Sequence, residues 1–225
     1  MQRIVVSSPK GGVGKTTLTT GLAVLASLNG LRVTVVDLDP QGSLTRWYDA
    51  RIQQARRQAG NDEASIEAIV GMQHASGLLD DARDVVEQIT VGDVVLIDTP
   101  TAVEEHPEGI KTLLRAADLV IVPTRPGDWD TASVIPWMRR VRSLAPRSGY
   151  VLNMTKPRDK WLSEARRRLA ATGLICAAEV RDLADVTRAA ALGVGVAEIP
   201  KSAAADDMRG VWAWVRDELG VASWR

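Results

Sequence analysis

Residues 10–17 read Lys-Gly-Gly-Val-Gly-Lys-Thr-Thr and follow directly on an apolar run, Arg3-Ile4-Val5-Val6-Ser7. The run has the character of a strand. Gly11, Gly12 and Gly14 let the backbone turn tightly and aim successive N–H groups inward, a geometry suited to phosphate oxygens. Thr16 and Thr17 then open a helix, whose N-terminus favours anions. In such a loop Lys15 reaches the β- and γ-phosphates and the Thr16 hydroxyl ligates Mg²⁺. A glycine-rich turn without a ligand does not explain why strand, lysines, hydroxyls and helix all fall at these offsets.

The rest of the chain alternates strand and helix. Strands are predicted over 3–8, 32–37, 93–97, 119–123 and 150–153, and near 174–180. Helices are predicted over 16–29, 43–58, 130–145, 160–172, 183–192 and 204–219, the third of them starting late or kinked at Pro136. The polar stretch 59–77 is placed only loosely. Near-continuous valine runs such as Val33, Val35 and Val36 suit strands buried on both faces. The expected fold is α/β, a single doubly wound, mostly parallel sheet flanked by helices in one domain over 1–225. Ligands of such sheets bind beyond the carboxyl ends of the strands. Two motifs end there. Asp37-Leu38-Asp39-Pro40-Gln41 closes the second strand, and Val94-Val95-Leu96-Ile97-Asp98 delivers a carboxylate from the third.

The loop departs from the general pattern G-x-x-x-x-G-K-[ST]: Pro9 stands where the first glycine belongs, and Lys10 is added five residues before Lys15. In this, and in the Asp-x-Asp-Pro-Gln stretch, the chain resembles the ParA/MinD family of deviant-Walker ATPases, and is most similar to its short partition type. The resemblance implies a P-loop fold, ATP and Mg²⁺ as ligands, and a nucleotide sandwich dimer in which Lys10 contacts the partner's nucleotide. It implies that residues Lys10, Gly11, Gly12, Val13, Gly14, Lys15, Thr16 and Thr17 hold the phosphates. Lys10, Lys15 and Asp39 then act in catalysis, with Asp39 orienting the attacking water. Thr16, Asp37 and Asp98 form the metal surroundings, Asp98 through water. Thr99–Gly109 would be the segment that senses the γ-phosphate, although Thr101 replaces a proline common there. The stretch after the fourth strand, Pro123–Asp128, corresponds to one near the nucleotide and the dimer interface. Asn153 resembles the family's adenine-reading asparagine. Asp37 and Asp39 also admit a plainer reading, as carboxylates capping the next helix, and Asn153 admits one as a turn former.

The net charge is +0, yet residues 111–225 carry 19 Lys/Arg against 13 Asp/Glu, and residues 139–168 carry 10 against 2. Such asymmetry points to an anionic partner. With the resemblance, it gives non-specific DNA as the expected partner, through bases among Arg139, Arg140, Arg142, Lys156, Arg158, Lys160, Arg166, Arg167, Arg168, Arg181, Arg188, Lys201 and Arg209. A ParB-like or cargo-adaptor protein is the second expected partner, stimulating hydrolysis. The rivals are a membrane-surface positioning ATPase and a scaffold of a secretion or conjugation system. Met208, Val211, Trp212, Val215 and Leu219 form an apolar stripe on the last helix. Its polar face mixes both charge signs, so packing on the sheet is expected rather than membrane binding. The single cysteine, Cys176, excludes a disulfide or a Cys-rich metal site within one chain and reads as a buried small residue. His74 and His106 lack ligand spacing and read as surface residues. No signal peptide or 20-residue apolar run is seen, so a cytoplasmic, nucleoid-associated location is expected.

Overall fold

The computed structural model describes residues 1–145, 147–221 and 223–224. Its first half runs β1 (Gln2–Val6), α1 (Lys15–Leu28), β2 (Val33–Asp37), α2 (Ser43–Ala59), α3 (Glu63–Val70), β3 (Gln73–Ser76), α4 (Ala82–Gln88) and β4 (Val94–Asp98). Then come α5 (Pro107–Ala116), β5 (Leu119–Thr124), α6 (Asp128–Leu144), β6 (Ser148–Thr155) and α7 (Leu162–Ala170). The chain continues through β7 (Leu174–Ile175), β8 (Val180–Arg181), α8 (Ala184–Leu192) and α9 (Ala203–Leu219).

The strands lie in the order β3-β2-β4-β1-β5-β6-β7, with β8 also paired to β6, and every pairing is parallel. Because β1 sits between β4 and β5, the chain leaves it at the point where the winding reverses, the usual ligand crevice of such sheets. Alternation along each strand feeds two separate cores. Ile4, Val6, Val35 and Leu96 pack with α1, α2 and α9 on one face, among Leu18, Leu22, Trp47 and Val211. Val5, Val36, Val95 and Ile97 pack with α5, α6 and α7 on the other, among Leu113, Val134, Met138 and Leu169.

The loosely placed stretch 59–77 contains a helix and an edge strand. The Asp62 carboxylate caps α3 by accepting from the Ser65 N–H at 3.2 Å. Strand β3, Gln-His-Ala-Ser, has no apolar run and owes its conformation to the backbone of β2 beside it. It also carries His74 out of the surface class. That ring is half-buried, stacks on Tyr48 with centroids 4.8 Å apart and lies 3.1 Å from the Thr45 hydroxyl. Burial lowers its pKa, against the opposing pull of Asp37 and Asp49. His106 is partly buried too, with Nδ1 2.9 Å from Asp80. Pro136 lies inside α6, which starts at Asp128 and continues through it on the packing of Val134, Trp137, Met138 and Val141. The stretch near 174–180 divides into two short strands, both paired to β6. All five stripe residues of α9 are buried, as packing on the sheet requires, and Cys176 is buried with its thiol pushed up to about 11 by desolvation.

Candidate nucleotide site

The phosphate loop is clamped from two strands that are distant in sequence. Gly12 and Gly14 have φ of 67° and 85°, so the loop passes twice through the left-handed region that side chains avoid. At the end of β6 the Asn153 amide donates to the Val13 carbonyl at 2.8 Å, and a Cβ on Gly14 would lie 2.0 Å from its nitrogen. At the end of β5 the Arg125 guanidinium donates to the Gly12 carbonyl. Gly14 precedes helix α1 and offers it no side-chain cap, which leaves the helix's first N–H groups to the loop's concavity. Lys15, the first residue of α1, is 7% exposed; burial pulls its pKa down, and the charges of Asp98 and Asp39 oppose that.

The register brings the carboxylates under this loop. Asp98 is paired with Val6 of β1 on one side and with Asp37 of β2 on the other. Asp98 is 1% exposed, and its Oδ2 accepts from the Thr16 hydroxyl at 2.5 Å. Its Oδ1 is buried with no hydrogen-bond partner among the described residues, an uncommon state for a buried carboxylate oxygen. Desolvation pushes the carboxyl up to about 7, helped by Asp37 and Asp39 and opposed by Thr16 and Lys15. Asp39 accepts from the Gln41 N–H at 2.9 Å, and its own N–H donates to Asp37 Oδ1 at 3.1 Å.

A cavity of about 810 Å³ opens over these groups, within the size range of small-molecule sites. Gly12, Gly14, Lys15, Thr16 and Asp39 form its floor, and Thr101 of the segment after β4 closes one side. Arg46, Trp47 and Ala50 of α2, Met154, and Thr187, Ala190 and Ala191 of α8 also line the wall. The α8 residues gave no local signal, because tertiary packing alone sets a small-residue helix against a loop 170 residues upstream.

The sequence pattern of the family described as "CobQ/CobB/MinD/ParA nucleotide binding domain" matches residues 4–196. The chain belongs to this family. As a member of the ParA/MinD group it is a P-loop ATPase. Over 206 residues it is 27% identical to the Maintenance of carboxysome distribution protein A of Halothiobacillus neapolitanus, which covers 87% of each chain. Its fold is similar to that of a putative plasmid partition protein from Borrelia burgdorferi B31 bound to AMPPNP, with a TM-score of 0.73 at 18% identity over 96% of this chain and 99% of that one. It is similar also to the septum site-determining protein MinD from Pyrococcus horikoshii complexed with Mg-ADP, with a TM-score of 0.72 at 17% identity over 98% of each.

Within this ParA/MinD-type site, three residues singled out in the sequence have tasks beyond those the resemblance implies. Asp37 is 2% exposed, and its Oδ2 accepts from both the N–H and the hydroxyl of Thr45 at 2.8 Å, so it caps α2. Asn153 is 1% exposed, with its Oδ1 accepting from the Met154 N–H at 2.9 Å. Through the bond to the Val13 carbonyl it braces the phosphate loop. Lys10 sits at the rim of the loop with its ammonium 3.0 Å from Asp130. Among the described residues there is no cluster of three or more His, Cys, Asp or Glu suited to a metal ion. A cation here would need oxygens from phosphate and water, as Mg²⁺ commonly uses.

Six of the basic residues singled out in the second half are paired with acids. Lys156 faces Asp182, Arg166 faces Glu179, Arg167 faces Glu164, Arg168 faces Asp128, Arg181 faces Asp207 and Arg209 faces Asp206. Arg142 donates to the Thr172 carbonyl. Arg140 and Lys160 lie over the rings of Trp137 and Trp161.

Proposed function

We propose that two copies of this chain close on ATP and Mg²⁺, that the closed dimer binds DNA without sequence preference, and that hydrolysis stimulated by a ParB-like or adaptor protein releases it, moving a cargo. The observation that carries the nucleotide part is the Thr16–Asp98 pair with its unsatisfied buried oxygen, lying beneath a two-lysine phosphate loop. These groups fit a hydrated Mg²⁺ bound to phosphates: Thr16 would supply a direct oxygen and Asp98 would hold its water. When bound, the ion neutralises charge on the phosphate oxygens. Lys15 and the N–H groups of 11–17 hold the phosphates, and Lys10 would reach the nucleotide of the partner. Asp39, fixed by its bonds to Asp37 and Gln41, orients water at the open side of the cavity. Asp39→Ala is therefore expected to keep ATP affinity and lower the hydrolysis rate about 100-fold, the lower end of what a positioned acid–base group supplies. Single-turnover kinetics read both, and undiminished turnover would remove Asp39 from this role.

The relative named for carboxysome distribution, similar over most of both chains, supports cargo positioning. For the DNA step, Arg139, Arg140, Arg158, Lys160, Arg188 and Lys201 have no carboxylate partner among the described residues and are the candidate contacts. The test is binding to a non-specific duplex with ATP, ADP or no nucleotide across a salt series. Binding is expected with ATP alone, and with about six phosphates contacted it should fall about 1,000-fold between 50 and 200 mM salt. Absence of binding in every nucleotide state would overturn the DNA step. The membrane-surface alternative loses its main support, since the apolar stripe of α9 is inside the core.

A further inference from the structure

Helix α6 begins Asp128-Trp129-Asp130 at the carboxyl edge of the sheet, beside the phosphate loop. Lys10 Nζ lies 3.0 Å from Asp130 Oδ1, with the two side chains 36% and 17% exposed. A Cβ on Gly127 would come 2.9 Å from Asp130 Oδ2, so the side chain folds back over the first turn of α6, where the helix dipole favours an anion. The neighbouring Trp129 is 86% exposed, and Asp128 pairs away from the loop, with Arg168. Lys10 is thus paired with an internal anion, although it stands at the rim of a site built for an external one. Its stem cannot stay folded on α6 and also extend out of the subunit.

We propose that Asp130 is a latch on Lys10: it keeps the ammonium inside its own subunit and must release it before a second copy can be engaged. This rests on the ATP-dimer reading above and adds its regulation. A partly exposed ion pair biases an equilibrium about threefold. Each dimer opens two latches, so the bias enters twice and amounts to about tenfold in the dimer dissociation constant.

The test is sedimentation velocity of the full chain with Mg²⁺ and AMPPNP over a protein concentration series. Asp130→Asn is expected to dimerise at about tenfold lower concentration than wild type, with monomer affinity for a fluorescent ADP unchanged. Asp130→Ser, which keeps an acceptor in the first turn of α6, takes its place if the Asn variant does not fold. Asp93→Asn removes the same charge at the opposite, amino end of the sheet and is expected to leave dimerisation at the wild-type value. A wild type that dimerises while the Asp130 variants are no tighter would overturn the latch alone. An equal shift in Asp93→Asn would also overturn it, by showing a general charge effect. A wild type that stays monomeric with AMPPNP overturns the dimer reading and the latch together.

Discussion

Lys15→Ala is expected to weaken ATP binding by at least about 100-fold while leaving the fold intact. The ammonium is buried, and the charges around it are carboxylates, Asp98 and Asp39. Charge-assisted bonds to phosphate contribute about 1.5–3 kcal/mol net. Their loss also leaves those carboxylates facing the phosphates without a cation between them. A total near 2.8 kcal/mol corresponds to 100-fold in affinity, at about 1.4 kcal/mol per factor of ten. Titration with a fluorescent ATP analogue, alongside circular dichroism to check the fold, measures it. Wild-type affinity in this variant would remove the loop from the nucleotide site.

Arg51→Ala is expected to lower stability by about 3 kcal/mol, the lower end for breaking a buried ion pair from one side, because the Glu198 side chain keeps 25% of its surface exposed. Arg51 is 5% exposed on α2. Its Nη1 and Nη2 each meet a Glu198 oxygen at 2.9 Å, Nε donates to the Val70 carbonyl at 2.8 Å, and the remaining protons reach the Ile69 and Gly193 carbonyls. One side chain thus ties α2 to the end of α3 and to the segment after α8. Alanine leaves a carboxylate and three carbonyls without that donor. For a chain of this size the expected fall in Tm is roughly 10 °C, at about 2–4 °C per kcal/mol. Lysine should not rescue, because it lacks the planar fork. Urea unfolding reads the change, and a loss under about 1 kcal/mol would contradict the account.

Much of the site was legible because it is local. Residues 10–17 carry their glycines, lysines and hydroxyls at fixed offsets, and Asp98 ends an apolar run that only a buried strand explains. The parallel register then sets Asp98 beside Asp37, as an alternating α/β pattern implies. What escaped the sequence is pairing across distance. Strand β3 is polar and takes its form from β2. The Arg51–Glu198 pair spans 147 residues, and Lys10 meets Asp130 only after β5 is laid beside β1. The partners of Arg166, Arg168 and Arg181 escaped the sequence for the same reason, since their acids are brought near by folding. Asn153 was noticed for its place at a strand end, but only the tertiary structure shows its amide bound to the Val13 carbonyl.

The contact between α9 and α1 bears on how the protein is made. A Cβ on Gly21 would lie 2.6 Å from the Met208 methyl, so the helix that begins at the phosphate loop is fitted against one from the far end of the chain. During synthesis, at about 5–20 residues per second, the loop leaves the ribosome long before that cover exists. A nascent chain therefore carries the whole phosphate-binding sequence while the helix behind it lacks its apolar backing. Helix α1 gains its full apolar backing only once residues 203–219 have been made and have packed against it.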